Sequence, residues 1–440
     1  MRKMKDSGVE WIGEIPTNWQ VGKTLYALSV PITDGPHETP ELFDSGIPFV
    51  SAEAVSCGNG HIDFKHIRGY ISQEFYDECC KKYIPQRNDI YMIKSGATTG
   101  KVAKVETDLI FTIWSPLAVF RCNSRRCHYD YLYYFLQSDS YQKQIENKWT
   151  YGTQQNIGMR ALEKLHICFP PLDVQYRIAD YLNNKCKKID AIIQKQQSVI
   201  EKLKEYKLSV ITEAVTKGLD KDVDMTVLSG EWVDSIPAHW KWMSLKSVTE
   251  FITCGVAATP EYTDKESGAL FLSAQNVKQG VMDYSIERYI TKELHESLTK
   301  KRKPKRGDLL QVRVGASIGN VAVVDTDEEF SVYVSLTHLR CNEMIKNEFL
   351  KFCMMSPLWL QKAFSYVDFA GSQGNLNVAD LRILKIPVPP INEQIDIMNY
   401  LKTKTNMIDY NIHRKEEILN RLQEYKKSLI YEVVTGKKEV

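Results

Sequence analysis

Residues 173–216 read DVQYRIADYLNNKCKKIDAIIQKQQSVIEKLKEYKLSVITEAVT, a stretch without Pro or Gly. Apolar residues recur along it at the spacing of a coiled-coil helix. At about 1.5 Å per residue such a helix would be about 66 Å long, which exceeds most helices of globular proteins. Its apolar stripe therefore needs a partner helix.

The same chain supplies a partner. Residues 391–435 read INEQIDIMNYLKTKTNMIDYNIHRKEEILNRLQEYKKSLIYEVVT and match the first stretch at an offset of 219 residues. Both apolar seams turn polar near the middle, at Gln196 and Lys415. If the helices pair antiparallel about a pseudo-two-fold axis, these two residues meet near the axis and fix the register. Two separately solvated helices are the alternative. The residues expected in the pairing are Ile189, Ile192, Gln196, Val199, Leu203, Ile408, Lys415, Ile418 and Leu422.

The repeat extends beyond the helices. SGVEWIGEIPTNW at residues 7–19 matches SGEWVDSIPAHW at 229–240, and RNDIYMIKSGATTGKVAKVETD at 87–108 matches RGDLLQVRVGASIGNVAVVDTD at 306–327. Short β-branched and aromatic runs split by Gly, Asn and Asp indicate a mainly antiparallel sheet with a few helices in each copy. We expect two copies of one α+β module, each followed by a long helix. The expected boundaries are 1–172 and 229–390 for the modules, 173–216 and 391–436 for the helices, and 217–228 for the linker.

Composition sets outer limits on function. The 440 residues carry a net charge of only +2, so any basic surface must be local. No apolar run approaches the ~20 residues of a membrane span and the first residues carry no apolar signal segment, so we expect a cytoplasmic protein without membrane association. The cysteines include no CxxC pair and the histidines no HxxxH spacing, so no metal site is expected.

The segment SGATTGK at residues 95–101 is one residue shorter between its glycines than a Walker phosphate loop, and its repeat has Asn320 in place of Lys101. Nucleotide hydrolysis is therefore not expected. A purely structural turn is one interpretation. The other is a tight loop whose glycines let backbone N–H groups and nearby side chains approach a phosphate or base edge. Those side chains are Lys94, Thr98, Thr99 and Lys101 in the first copy and Arg313, Ser317 and Asn320 in the second.

Two Pro-Pro segments, FPPL at 169–172 and VPPI at 388–391, resemble the Asn/Asp-Pro-Pro-aromatic loop of adenine methyltransferases. They lack the polar and aromatic residues that hold a flipped base in that loop. No glycine-rich cofactor motif accompanies them. The chain alone is therefore expected to be non-catalytic and to bind no cofactor.

Basic and amide side chains are the other candidates for ligand contact. KKRKPKR at residues 300–306 is the densest positive run, and KKYIPQR at 81–87 is its weaker counterpart. Lys and Arg supply most sequence-independent DNA affinity, whereas Gln and Asn pair with adenine edges. A solvated loop and simple turn formation are the alternatives. The candidates are Lys301, Arg302, Lys303, Lys305 and Arg306 for phosphates, and Gln154, Gln155, Asn156, Gln373, Asn375 and His37, the last in DGPHETP, for bases.

Taken in order, SGVEWIGEIPTNW, DGPHETP, SGATTGK, QQNI with its twin QGNL, and PPLDVQYRIADYL with PPINEQIDIMNYL resemble the specificity subunits of type I restriction-modification systems, the HsdS family. The resemblance covers essentially the whole chain. It implies two target-recognition domains at opposite ends of an antiparallel coiled-coil spacer, each recognising half of a bipartite, asymmetric DNA site. The partners it implies are double-stranded DNA, two methyltransferase subunits that bind S-adenosylmethionine, and restriction subunits that use ATP and Mg.

Two other classes of function stay open from the residues alone. A protein-only scaffold would use the modules as paired interaction heads. An autonomous DNA-modifying enzyme is disfavoured by the missing cofactor and catalytic motifs. If the helices act as a ruler, lengthening one by a heptad should change the gap between half-sites and leave the half-site sequences unchanged.

Overall fold

A computed structural model describes residues 2–151, 155–255, 257, 260–369 and 374–440. The chain divides into two compact units, Met1–Gln197 with Glu417–Val440, and Ser198–Glu416. Each unit holds one globular head and part of both long helices. The boundaries expected from sequence kept the helices apart from the modules. The compact units instead cut each helix near its middle, because each helix half packs on its own head.

The first head contains two sheets. The first sheet is antiparallel and has four strands, in spatial order Thr33–Asp34, Leu117–Phe120, Ile90–Ile93 and Val102–Lys104. The second has Gly69–Ile71, Ile47–Val50 and Thr112–Ile113, the last pair being parallel. Two-stranded ribbons pair Met4–Asp6 with Glu14–Pro16, Gln20–Lys23 with His166–Phe169, and Thr150–Tyr151 with Gln155–Asn156. The helices are Ala52–Cys57, Gln73–Cys80, Tyr129–Gln137, Asp139–Glu146 and Met159–Lys164, with 3-10 turns at Thr24–Ala27 and Phe64–His66.

The second head repeats this order of elements. Its first sheet has Thr249–Cys254, Leu336–Cys341, Leu309–Val312 and Val321–Val323, and its second has Tyr262–Thr263, Tyr289–Thr291, Gly268–Leu272 and Phe330–Val332. Its ribbons pair Met225–Val227 with Ser235–Pro237, Lys241–Ser244 with Lys385–Val388, and Val367–Asp368 with Asn375–Leu376. Its helices are Leu245–Val248, Lys292–Thr299, Asn347–Met355, Pro357–Phe364 and Val378–Ile383, with a 3-10 turn at Ala274–Asn276. The predicted internal repeat and α+β class are confirmed.

The central strands explain why each head holds together. Ile90–Ile93, Leu117–Phe120 and Leu309–Val312 are buried along their whole length, so they are mostly apolar runs rather than alternating strands. Helix Tyr129–Gln137 is aromatic-rich and almost entirely buried, and it adds to the core that joins the first head to the long helices. Burial of such large side chains is the main stabilising contribution to each head.

The first long helix, Leu172–Lys217, and the second, Ile391–Val434, pair antiparallel within each unit. In the first unit, Arg177 Nη1 donates to the backbone oxygen of Val440 at 3.3 Å and Lys426 Nζ donates to Asp190 at 2.6 Å. From Arg177 to Asp190 on the first helix, the partners fall from Val440, beyond the end of the second helix, to Lys426 within it. The apolar contact there is made by Ile178, Leu182, Cys186 and Ile189 against Leu429, Ile430, Val433 and Val434.

The second unit shows the same pairing. Lys207 Nζ donates to Asp409 at 2.7 Å, and Val210, Ile211, Ala214 and Val215 share a core with Ile397 and Leu401. The residue numbers of the two interhelical ion pairs, 190 with 426 and 207 with 409, both add to 616, so both units use one register. The predicted antiparallel coiled coil is confirmed.

The apolar seam differs in phase from the sequence expectation. Ile189 and Ile408 are buried, Val199 and Leu203 are half-buried, and Leu422 packs on the core of the first unit. Ile192 and Ile418, however, are exposed, whereas Ile200 is buried. A strict seven-residue repeat drifts by about 20° per heptad against a straight helix, so neighbouring positions take over the contact. Gln196 and Lys415 belong to different units, and their approach stays a prediction.

Hydrogen bonds satisfy backbone groups at the end of each long helix. Gly218, directly after the first long helix, has φ 75° and its N–H donates to Ala214 O at 3.2 Å. The last residues of the chain return to the first head, where Tyr131 Oη donates to Val434 O at 3.1 Å and Tyr431 Oη donates to Ile12 O at 3.3 Å. Within the described residues, no helix is long and apolar enough to cross a membrane.

Candidate nucleic-acid interface

The glycine loop at residues 95–101 closes the hairpin between the inner strand Ile90–Ile93 and the edge strand Val102–Lys104. Gly96 and Gly100 have φ of 104° and 92°, and their counterparts Gly315 and Gly319 have 97° and 92°. Only glycine adopts these angles without strain. Both loops therefore need glycine for their backbone shape, as the structural-turn interpretation requires.

The glycine N–H groups are already used inside the heads. Gly96 N donates to Gln155 O at 3.0 Å and Gly100 N donates to Ile93 O at 2.8 Å, while Gly319 N donates to Val312 O at 2.9 Å. These three glycine N–H groups are therefore not available to a phosphate or base edge, and the approach of other backbone N–H groups of the loop to a ligand stays a prediction. Thr99 Oγ1 is likewise turned inward, to Gly96 O at 2.7 Å. What the loops present outward is side chains: exposed Lys101 and half-buried Thr98, Ser317 and Asn320.

The predicted amide segment lies directly beside the glycine loop in each head. Ser95 forms a β-bridge with Asn156, and Val314 forms the equivalent bridge with Asn375. Asn156 is exposed, and Gln155 and Asn375 are half-buried. Two residues far apart in sequence from the loop are thus brought to its edge. Gln154 and Gln373 lie outside the described residues.

The cation that precedes each glycine loop points inward. Lys94 Nζ lies 3.1 Å from Asp34 Oδ2. Arg313, its counterpart, is only 8% exposed, and its Nε donates to Leu376 O at 3.1 Å. Both were predicted as DNA contacts. As placed, they hold the loop to the rest of the head and do not offer their charge to a phosphate.

His37 lies beside the same carboxylate as Lys94, that of Asp34. Its side chain is 72% exposed and its Nε2 lies 3.2 Å from Asp34 Oδ2. Asp34 itself is fully buried. Burial raises the pKa of Asp34, but hydrogen bonds and charges from Lys82 and Lys94 outweigh burial, so the pKa lies below the ordinary value for Asp. The carboxylate therefore stays ionised beside the imidazole at neutral pH.

A buried ion pair, repeated in both heads, anchors the segment before the central strand. Arg340 Nε and Nη2 donate to the two carboxylate oxygens of Asp308 at 2.7 and 2.8 Å, and Nη2 also donates to Lys303 O at 2.8 Å. Arg121 makes the same contacts to Asp89, each at 2.8 Å. Burial raises the pKa of Asp308, but Arg340 and His338 outweigh burial and lower it. Sequence reasoning missed this pair, whose only signal was that both residues recur at the offset of 219.

The basic run of the second head is partly neutralised. Lys303 forms an ion pair with Glu329, and Arg306 Nε lies 2.8 Å from Asp327 Oδ1. The Arg302 guanidinium lies over the Phe251 ring, 5.2 Å from its centroid. Lys301 and Lys305 are exposed, and among the described residues neither has an acidic partner. The run lines an open cavity of about 880 Å³ that also contains the acidic side chains. Among the described residues, Lys300, Lys301, Arg302 and Lys305 are therefore the cations of this run without an acidic partner.

The first head has the same frame with different surface chemistry. Arg87 pairs with Asp108 at 3.1 Å, as Arg306 does with Asp327. At the positions of Lys303 and Glu329, however, stand Ile84 and Ile110, which are 51% and 64% exposed. One surface is charged in the second head and apolar in the first. The heads share a backbone plan but differ in the side chains exposed at these positions.

The two candidate groups of the second head do not form one cluster. The basic run at 300–306 precedes strand Leu309–Val312, and the glycine loop follows it. A strand of this length spans about 13 Å. The basic run and the glycine loop therefore lie at opposite ends of this strand. Within the described residues, no group of three or more His, Cys, Asp or Glu could hold a metal ion.

The two heads share one fold, expose different side chains and are each joined to a coiled coil. These features define a recognition protein with two binding heads. The chain belongs to the family described as type I restriction modification DNA specificity domain, and the model of this family matches residues 38–202 and 237–420. Members of this family are the non-catalytic DNA-recognition subunits of type I restriction-modification systems. Subunits of this family act in a complex with DNA and with the other subunits of their system.

Known proteins agree with this assignment. The type I restriction enzyme MjaVIII specificity subunit of Methanocaldococcus jannaschii is 23% identical over 388 residues, covering 86% of this chain and 85% of that protein. The EcoBI specificity subunit of Escherichia coli is 22% identical, covering 76% and 73%. A chain from a solved structure on complex assembly and conformational transition of the type I R-M system has 16% identity and a TM-score of 0.71, covering 96% of this chain and 98% of that one. That likeness supports the fold.

Proposed function

We propose that each head recognises one half of a bipartite, asymmetric site in double-stranded DNA, and that the paired helices set the gap between the halves. The observation that carries this is the chemical difference between equivalent positions at the glycine loops. Lys101 in the first head is replaced by Asn320 in the second, and Thr98 by Ser317. Because base recognition depends on which donors and acceptors are presented, the two heads should select different sequences.

Base contacts and phosphate contacts divide between the two ends of the central strand. The glycine loop and the amide ribbon present Thr98, Lys101 and Asn156 together, and these are the candidates for base edges. At the other end of the equivalent strand of the second head, Lys301 and Lys305 are the candidates for phosphates. Phosphate contacts position a protein on the duplex, and base contacts specify the sequence.

The helices carry a surface that occurs once in each unit. Tyr206, 53% exposed, stands next to the Lys207–Asp409 ion pair, and Tyr425, 52% exposed, stands next to the Lys426–Asp190 ion pair. A repeated surface fits two copies of one partner, and exposed Tyr is a frequent anchor of protein interfaces. We assign these surfaces to two methyltransferase subunits, to which restriction subunits are then added.

In this proposal the cofactors bind to the partner subunits. The methyltransferase subunits would bind S-adenosylmethionine and the restriction subunits ATP and Mg, whereas this chain supplies recognition. A complex that acts on the DNA of its own cell works in the cytoplasm, which is the location we propose.

A protein-only scaffold is the second candidate. The observation in its favour is the apolar surface of the first head, where Ile84, Leu109 and Ile110 are exposed. Such side chains suit a protein contact better than a phosphate contact.

Methylation mapping separates the two functions. The chain is co-expressed with the methyltransferase subunit of its own system, and modified bases are mapped across the host genome. We expect a single motif with two unlike halves and a constant gap, which disappears when this chain is omitted. A complex that assembles but neither methylates a bipartite motif nor shifts duplex DNA in a gel would favour the scaffold.

A further inference from the structure

Asp34 joins three segments of the first head. It is fully buried at the edge of the four-stranded sheet. Its Oδ2 lies 3.2 Å from His37 Nε2 and 3.1 Å from Lys94 Nζ, and its Oδ1 accepts from Lys82. Lys82 Nζ also donates to Gly35 O at 3.2 Å. One carboxylate thus holds the DGPHETP loop, the segment at 81–87 and the strand end that enters the glycine loop.

This arrangement places His37 beside the candidate base-contacting edge. The backbone of Lys94 accepts from Ile157 N at 2.9 Å, which ties it to the amide ribbon. Ser115 N donates to Pro36 O at 3.1 Å, which fixes the His37 loop against the neighbouring strand connection. The imidazole is the exposed end of an otherwise internal cluster. One of its nitrogens, Nε2, lies 3.2 Å from buried Asp34 Oδ2, and the rest of the ring is open to a ligand.

The described residues of the second head do not repeat this arrangement. Asp34 pairs with Ala118 across the sheet, and Cys254 pairs with Thr337, the residue 219 positions after Ala118. Cys254 therefore occupies the place of Asp34. Arg313, the counterpart of Lys94, donates instead to backbone oxygens. Among the residues that the structure describes, the carboxylate cluster is therefore found in the first head.

Resting on the proposed function, we infer that His37 contacts an exocyclic amine of adenine or cytosine in the first half-site, and that Asp34 is its positioning residue. In the neutral imidazole one nitrogen is a donor and the other an acceptor. The carboxylate beside Nε2 favours the tautomer that carries its proton there, as an acidic partner commonly does for His. The outward Nδ1 is then an acceptor, and the amines of adenine N6 and cytosine N4 are the donors of the major groove.

Three variants test this in the complete complex with its methyltransferase subunits. His37→Ala removes the exposed ring without touching the buried contacts. Asp34→Asn keeps the size of the side chain and removes its charge. Cys254→Ser, at the equivalent position of the second head, is the matched control. Relative methylation rates are measured on duplexes that carry each base at every position of both half-sites.

We expect His37→Ala to lower discrimination at one position of the first half-site about tenfold or more, as removal of one direct base contact should. The second half-site and the gap should be unchanged. Asp34→Asn should relax the same position, and Cys254→Ser should change neither half-site.

Two results would overturn the inference. Full discrimination retained by His37→Ala at every position would exclude a base contact by His37. Asp34→Asn could instead lower the methylation rate equally on all sequences, while His37→Ala loses discrimination at one position only. That result would give Asp34 a structural role only. Failure of the proposed function looks different, because the unmodified complex would then show no bipartite motif at all.

Discussion

Lys426 Nζ donates to both carboxylate oxygens of Asp190, at 2.6 and 2.7 Å, and so links the second long helix to the first within one unit. Lys207 and Asp409 form the same contact in the other unit, at 2.8 and 2.7 Å. The two units thus contain the same lysine–aspartate ion pair between their helices, with the same atoms in contact. The ion pairs mark the register, whereas the apolar contacts supply most of the stability.

The first prediction compares these two contributions. Lys426→Ala should cost only about 0.2–1 kcal/mol of unfolding free energy, because the ion pair is partly exposed to solvent. Leu182→Ala should cost about 2–5 kcal/mol, because Leu182 is fully buried. Urea unfolding followed by helix circular dichroism measures both. Leu401→Ala, at the repeated position, is the control and should resemble Leu182→Ala. Equal costs for the ion-pair and core variants would contradict this view of the coiled coil.

The second prediction concerns the helices as a ruler. One heptad inserted in each helix, after Gln197 and before Glu417, adds about 10 Å, or about three base pairs, and turns the DNA by about a third of a turn. We expect this protein to select sites with a longer gap between the half-sites and to bind them more weakly than the unmodified protein binds its own sites. Three heptads add about 31 Å, close to one turn of duplex, so binding should recover on sites with a gap about nine base pairs longer.

Selection from duplexes with variable gaps measures this dependence. The half-site sequences should be identical in all three proteins. A change in half-site bases after insertion would show that the helices influence base recognition rather than spacing.

The third prediction concerns the basic run. Removing one cation that neutralises a phosphate lowers the slope of log affinity against log salt by about 0.9. Neutralising Lys301 and Lys305 together should therefore lower the slope by about two and weaken binding to all sequences alike. Lys303→Gln is the matched control, because Lys303 is already paired with Glu329, and it should have a smaller effect. Weaker binding confined to particular sequences would instead mean that the run contacts bases.

The fourth prediction concerns pH. The folded-state pKa of Asp308 is lowered, so the stability it contributes is present above the ordinary Asp pKa of about 3.9 and is lost as pH falls through the lower folded value. Asp308→Asn should cost about 3–5 kcal/mol at pH 7, because Arg340 loses its buried partner. The stability gap between native protein and variant should narrow below about pH 4. Asp44→Asn, on the exposed surface, is the control and should leave stability unchanged. A gap that stays constant down to about pH 3 would refute the role of the ionised carboxylate.

Sequence periodicity was enough to predict the architecture, because a long helix and an internal repeat are both properties of residue spacing. It could not tell which way a polar side chain points. Lys94 and Arg313 precede the glycine loops and looked like ligand contacts, yet both are turned inward by partners distant in sequence, Asp34 and the Leu376 backbone.

The same limit explains the other differences. The engagement of the Gly96 N–H depends on a strand pairing with Gln155, which is some sixty residues away. The exposure of Ile192 and Ile418 depends on the phase of the helix pair, which a count of heptads does not fix. The adjacency of Ser95 and Asn156 likewise depends on a β-bridge between distant residues, so the spacing of the sequence did not predict that the loop and the amide segment lie together.

The return of the chain end to the first head has a consequence for biosynthesis. The second unit is continuous, from Ser198 to Glu416, whereas the first needs Glu417–Val440 as well as its N-terminal residues. Emerging from the ribosome, the second unit is therefore complete while the first still lacks the helix end that accepts from Tyr131 and contacts Ile12. The half translated first is the last to close.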